Sequence, residues 1–249
     1  MGSAHGASPR RGGGNRPPRR MIGLPGPRHA QHTVTVEELA LFNVPVNDDG
    51  VVIGATSDGL PAVLGLFRRS AHHLVCIGGT YVPQLLALRA AATGARVAVE
   101  TARGSAWASL AQAAGGGQQC ITVHTLGRMG PQGASVQSPV LVIRDCGALP
   151  PPSQLGQAPW LTTLTLLPYL EDEAVEMVST ADVVCLQRLN SQEIEKLSGP
   201  LALSYGEEHG LRDQPDDVTF WVGDETHQRV RLQPSQIELG MLGQPRRHD

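Results

Sequence analysis

One lysine, Lys196, stands in a chain of 249 residues. Aromatic residues make up only 4%, so stacking platforms for bases or sugars are scarce, and Trp107 and Trp160 read as core or interface anchors. The four cysteines (Cys76, Cys120, Cys146, Cys185) lie far apart with no CxxC pair. That spacing excludes a disulfide framework and the usual zinc patterns, and points to buried free thiols in a reducing compartment. No metal site is expected. Nowhere do 18 apolar residues run together, and Arg19-Arg20 precede a stretch too polar for a signal-peptide core. The expectation is therefore a soluble, cytoplasmic chain without its own membrane insertion. GxSxG, HExxH and a GxGxxG following a strand are all missing, which removes the commonest hydrolase, zinc-protease and dinucleotide-binding signatures.

What is present is a composition suited to one sizeable α/β core, with 41% hydrophobic residues and a length within the range of one or two domains. Charge is unevenly placed. Residues 1–36 carry six arginines (Arg10, Arg11, Arg16, Arg19, Arg20, Arg28) and no carboxylate, so a net −3 for the whole chain leaves −9 on the remainder. Residues 1–32, rich in Gly, Pro and Arg, cannot repay the entropy of ordering and read as a disordered tail. Met21 is an alternative start to Met1. A single α/β domain is expected over 33–243, followed by a short tail at 244–249.

Along the chain, VVIGATSDGLPAVLGLF reads as two strands joined through Ser57-Asp58-Gly59, a turn signal. TVTVEELALF before it is either strand or helix. Strands and helices then alternate: HLVCIGG, the helix VPQLLALRAAATG, RVAVETA, the helix SAWASLAQAAGGG with Ser105 as a cap, CITVHTL, VLVIRDCG, WLTTLTLL, the helix EDEAVEMVSTA, DVVCLQRL, and the helix NSQEIEKLSGPL with Ser191 as a cap. Gly115–Gly117 reads as a C-cap and loop. A short helix near SYGEEHGLRD, a hairpin around Gly223-Asp224 and a last helix in SQIELGMLG complete the reading. Runs such as LVCI and VLVI imply strands covered on both faces, hence a mainly parallel sheet with hairpins near both ends. Ligands of such sheets sit at the carboxyl ends of the strands.

At one of those ends stands GGTYVPQL, with the length and placement of a phosphate-binding loop. Laid on GxxxxGK[ST], Gly78 takes the first glycine, but Pro83 takes the second, Gln84 the lysine and Leu85 the hydroxyl residue. The cation for the β and γ phosphates and the magnesium ligand are both missing. Pro83 also lacks an N–H donor. Gly79 and Thr80 complete the degenerate loop. Asp145, ending VLVIRDCG, stands where an ATPase would keep a metal-binding carboxylate, with Cys146 in the place of a following glutamate. Arg144 is its neighbour and a possible ion-pair partner. Arg144 and Asp145 are the weak candidates for a divergent site, the alternative for Asp145 being a cap on the following loop. His72 and His73 are adjacent, point to opposite faces of an extended segment and cannot chelate together. His124 reads as a satisfied surface or core histidine.

The run VPVNDDGVVIGATSDGLPAVLGLFRRSAHHLVCIGGT resembles the opening of FtsK/SpoIIIE-type (RecA-like) modules of actinobacterial type VII secretion. Asp58-Gly59-Leu60-Pro61-Ala62-Val63 and His73-Leu74-Val75 carry that likeness. LQRLNSQEIEKL and DVTFWVGDETHQRVRLQPSQIE resemble their closing segment, with Arg188, Ser191 and Glu193 on its pattern. The resemblance spans about residues 43–239. It implies a P-loop NTPase-like three-layer sandwich without a functional phosphate loop, and an EccE-like, non-ATPase component of the secretion apparatus. It implies no catalytic residue, no cofactor, and protein partners such as a secretion motor ATPase or its membrane complex, reached at the inner face of the membrane. Two other readings stay open: a nucleotide- or anion-binding enzyme with a divergent site at Thr80, Arg144 and Asp145, and a nucleic-acid-associated regulator acting through the arginine tail. The −9 remainder would repel a duplex.

Overall fold

The computed structural model describes residue 35 and residues 50–114, 119–151, 155–223 and 226–247. Contacts divide the chain into Met1–Pro45 and Val46–Asp249, and every element below lies in the second unit. The expected tail at 1–32, the TVTVEELALF segment apart from Thr35, Gly115–Gly117 and Asp224 lie outside the described residues.

Strands β1 (Gly50–Thr56) and β2 (Pro61–Gly65) form an antiparallel hairpin. Its turn depends on Gly59, whose φ of +78° is a conformation that disfavours a side chain. The alternating segment then runs through β3 (His72–Ile77), α1 (Tyr81–Ala92), β4 (Arg96–Thr101), α2 (Gly104–Ala113), β5 (Ile121–Thr125), β6 (Val140–Asp145) and β7 (Leu161–Leu167). A 3-10 turn at Asp172–Ala174 leads into α3 (Val175–Ser179), then β8 (Val183–Leu186), α4 (Ser191–Ser198) and α5 (Tyr205–Arg212). The hairpin β9 (Val218–Gly223) and β10 (Thr226–Leu232) and the helix α6 (Gln236–Leu242) follow. All ten strands join one sheet in the order β2-β1-β10-β9-β8-β3-β7-β6-β4-β5. The six from β8 to β5 are parallel and the four from β9 to β2 extend them antiparallel. This is the mainly parallel α/β sheet read from the sequence.

Two apolar layers follow from the alternation of side chains along each strand. Leu74 and Cys76 of β3, with Leu141, Ile143, Leu164 and Leu166, meet Val82, Leu85, Leu86, Trp107 and Leu242 from α1, α2 and α6. Val75 and Ile77 of the same strand, with Leu167 and Leu186, face Val178, Ile194, Leu197 and Leu211 from α3, α4 and α5. Beyond β7 no helix among the described residues covers that second face: Ala98, Val140, Val142 and Leu161 pack against Met129, Ala134, Leu155 and Ala158 from loops. Such burial on both sides is why these strands read as unbroken apolar runs.

Helix starts differ from the sequence reading in detail. Ser105 lies inside the first turn of α2, whose N-cap position is Arg103 with no side-chain cap. At α4 the cap is Asn190, not Ser191: its side chain accepts from Glu193 N–H while Glu193 reaches back to Asn190 N–H at 2.9 Å. Ser204–Glu207 and Ser235–Glu238 make the same reciprocal box on α5 and α6, each cap contributing about 1 kcal/mol. EDEAVEMVSTA yields only the 3-10 turn and a five-residue helix. The Ser179 and Thr180 hydroxyls donate back to Glu176 C=O and close the helix early.

Candidate functional site at the carboxyl edge of the sheet

Three residues, Gly78, Gly79 and Thr80, connect β3 to α1. The eight-residue stretch GGTYVPQL is therefore not all loop, because α1 begins at Tyr81. Pro83 sits in its first turn, where a missing N–H costs nothing. Gln84, at the position of a phosphate-binding lysine, is 8% exposed and donates to Ala106 C=O of α2 at 2.8 Å. Leu85 is core. Of the residues read as a degenerate loop, only the first three lie at the sheet's edge.

The first two amides of this connection have partners within the chain. Gly78 N–H donates to Leu167 C=O at 2.9 Å and Gly79 N–H donates to Gln187 Oε1 at 2.7 Å. Gln187 follows β8, which pairs directly with β3, and its side chain fills the space beside the two glycines. A Cβ on Gly78 would fall 1.9 Å from Gln187 Oε1. Gln187 is 1% exposed, so its amide is fixed where a curled loop would admit an anion. Its Nε2 donates to Arg246 C=O at 3.2 Å.

Arg144 and Asp145 do not pair with each other, in correction of the ion pair considered from their adjacency. Successive residues of a strand point to opposite faces, and β4 supplies a partner at each register position: Glu100 opposite Arg144 and Thr101 opposite Asp145. Arg144 Nε donates to Glu100 at 2.8 Å, with both side chains buried. Asp145 accepts from Thr101 Oγ1 at 2.9 Å, Trp107 Nε1 at 3.0 Å and Arg103 at 2.9 Å. Asp145 thus clamps β4 and α2 to β6 rather than capping the following loop. Because β7 separates β6 from β3, Asp145 and the glycine connection stand two strand spacings apart, about 10 Å.

Cys146 follows. Burial, with the Glu100 carboxylate nearby, pushes its thiol up to about 11, so it is protonated and a poor nucleophile at neutral pH. Beside it opens a depression of about 520 Å³ lined by Cys146, Ala148, Leu149, Tyr169, Glu171 and Glu173. Among the described residues two carboxylates and no cation line it. Such a surface repels phosphate.

Arg188, Ser191 and Glu193 converge near the ends of β8 and α4. Arg188 pairs with Asp216 at 3.2 Å, Ser191 opens α4, and Glu193 Oε1 accepts from Leu170 N–H at 3.2 Å. Arg247, in the segment the sequence reads as a tail, is 4% exposed and lies 3.4 Å from the same oxygen. His72 and His73 diverge to Asp182 and Thr165, and burial holds the His73 imidazole below its usual range. His124 bonds Thr122. Among the described residues no group of three or more His, Cys, Asp or Glu converges to hold a metal, and no helix is long and apolar enough to cross a membrane.

Gln187, Glu100, Arg103 and Arg247 escaped sequence reasoning. Gln187 has no motif, and the other three are recognisable only once strand register and chain return are known.

No family model matches the sequence, and no curated protein does. Solved structures do share the fold. VirB4 of Thermoanaerobacter pseudethanolicus superposes with a TM-score of 0.53 at 8% identity, over 78% of this chain and 99% of that one. The cytoplasmic domain of the Thermomonospora curvata type VII secretion ATPase EccC gives 0.52 at 14% identity, over 82% of this chain and 32% of that one. What the three share is the fold, a mainly parallel α/β sheet with packed helices.

Proposed function

We propose that this chain is a non-catalytic docking component of a type VII, ESX-like secretion apparatus, comparable to EccE, built on an ATPase fold whose phosphate site is sealed from within. The observation that carries the reading is the Gln187 side chain on Gly79 N–H. A nucleotide needs that amide, room beside it and a cation. Here the amide is bonded, the room is filled and the lysine position is Gln84, turned into α2. The acidic lining of the neighbouring depression further disfavours a triphosphate. The secretion assignment is supported by the likeness of residues 43–239 to type VII modules and by a structural neighbour named as a type VII secretion ATPase.

In this reading the unit from Val46 onward is one α/β domain. Its partners are proteins, a secretion motor ATPase or the membrane complex that holds it, and it works at the inner face of the membrane through them. No residue is catalytic and no cofactor is required. Calorimetric titration with ATP and with ADP, each with and without magnesium, tests this: no binding heat is expected. Saturable binding in the micromolar range, or release of phosphate by the purified chain, would refute it.

A further inference from the structure

After α6 the chain turns at Gly243, whose φ of +76° is one a side chain disfavours, and returns across the carboxyl ends of β8, β3 and β7. Gly243, Gln244 and Arg246 are exposed and Pro245 is half-buried. The segment is therefore held at its ends, by Leu242 in the core and by Arg247. The Arg247 guanidinium donates to Arg188 C=O at 2.8 Å and Pro168 C=O at 2.6 Å and faces Glu193 Oε1 at 3.4 Å.

Those acceptors come from three separate segments, the ends of β7 and β8 and the first turn of α4, and each is fixed by something other than Arg247. Pro168 and Arg188 follow sheet strands, and Glu193 is locked by the Asn190 capping box and by Leu170 N–H. Two carbonyls and a carboxylate arranged around a plane match a guanidinium fork and not the point charge of an ammonium. Burial lowers the Arg247 pKa while Glu193 opposes the shift, as in a pocket that is dry but countercharged. Beside Pro168, Tyr169, Glu171 and Glu173 line the acidic depression, which supplies countercharge for a second basic residue. Lys196 is turned toward Asp172 at 2.7 Å and Arg188 toward Asp216.

We propose that the socket formed by Pro168, Arg188 and Glu193 is a docking site for an arginine-bearing peptide segment of a partner protein, occupied here by residues 243–247 of the same chain, with which the partner segment exchanges. Only one side chain and the Arg246 carbonyl of the resident segment enter the site, so its recognition does not depend on chain continuity. Exchange also removes the Arg246 carbonyl from Gln187, which ties occupancy of the socket to the start of α1. The proposal stands whether or not the crevice binds nucleotide.

The test uses the full chain carrying Arg247→Ala and a fluorescent peptide of residues 243–249. The variant should bind this peptide at least about tenfold more tightly than the wild type does, since truncating one partner of a buried charge pair is costly. A peptide with Arg247→Ala should not bind, and Glu193→Gln in the variant should abolish the gain. Equal binding by wild type and variant, or by the two peptides, overturns the proposal. A second measurement needs no variant: saturating peptide added to the wild type should speed amide hydrogen exchange at the displaced Arg246 and Arg247, and unchanged exchange at both overturns it.

Discussion

Replacing Asp145 separates a structural clamp from a site held ready for metal. Asp145 is 2% exposed. In Asp145→Ala two donors lose their acceptor without access to water: the indole N–H of Trp107, 0% exposed, and the Thr101 hydroxyl, 3% exposed. Each buried unsatisfied donor costs about 1–3 kcal/mol. The Arg103 side chain is 40% exposed and can rehydrate, so its loss adds under about 1 kcal/mol. The expected destabilisation is about 4 kcal/mol. At about 2–4 °C per kcal/mol for a domain of this size, the melting temperature should fall by roughly 8–16 °C. Asp145→Asn keeps an acceptor oxygen and should lose about half as much. Urea midpoints and calorimetric melting of the three proteins decide the matter. An Ala variant within about 1 kcal/mol of wild type would refute the clamp, as would an Asn variant more stable than wild type, because carboxylates held for function tend to strain their fold.

Two further predictions concern pH. Burial raises the Glu238 carboxyl, but the Arg89 guanidinium and the Ser235 hydrogen bonds outweigh burial and hold it below its ordinary 4.5. Its contribution is therefore present above about 4.5 and is lost as pH falls through the depressed value. Glu238→Gln should lower the urea midpoint at pH 7, and the gap from wild type should close as pH falls below about 4.5 and through the depressed value; a gap independent of pH contradicts the argument. For Cys146, with its thiol raised to about 11, native alkylation at pH 8 should be far slower than in urea, as read by mass spectrometry of its peptide. Equal rates would show the thiol to be accessible and ionised.

The strands of the parallel half were legible because β3, β6 and β7 are buried on both faces and their apolar runs are unbroken. Their order was not, since pairing of β1 with β10 or β7 with β3 leaves no local trace. At the candidate site, the phosphate-loop template was laid across Pro83, Gln84 and Leu85 although the helix read as VPQLLALRAAATG already held them; that helix begins one residue earlier, at Tyr81, and leaves a connection of three residues. Sequence adjacency paired Arg144 with Asp145, and strand alternation sent them to different partners. Arg247 lies in a stretch with no periodicity, between proline and the acidic end of the chain, so nothing local marks it as buried.

The place of β10 in the sheet fixes an order of assembly. The β1–β2 hairpin enters through Gly54–Thr56 paired with Val230–Leu232, so residues made early await a strand made late. At roughly 5–20 residues per second the wait on the ribosome is on the order of 10 to 30 s. An isolated two-stranded hairpin is marginal in water, and throughout that interval the Gly54–Thr56 edge of β1 lacks the strand that joins it to the sheet. Newly made chains should therefore engage chaperones through the strands synthesised first.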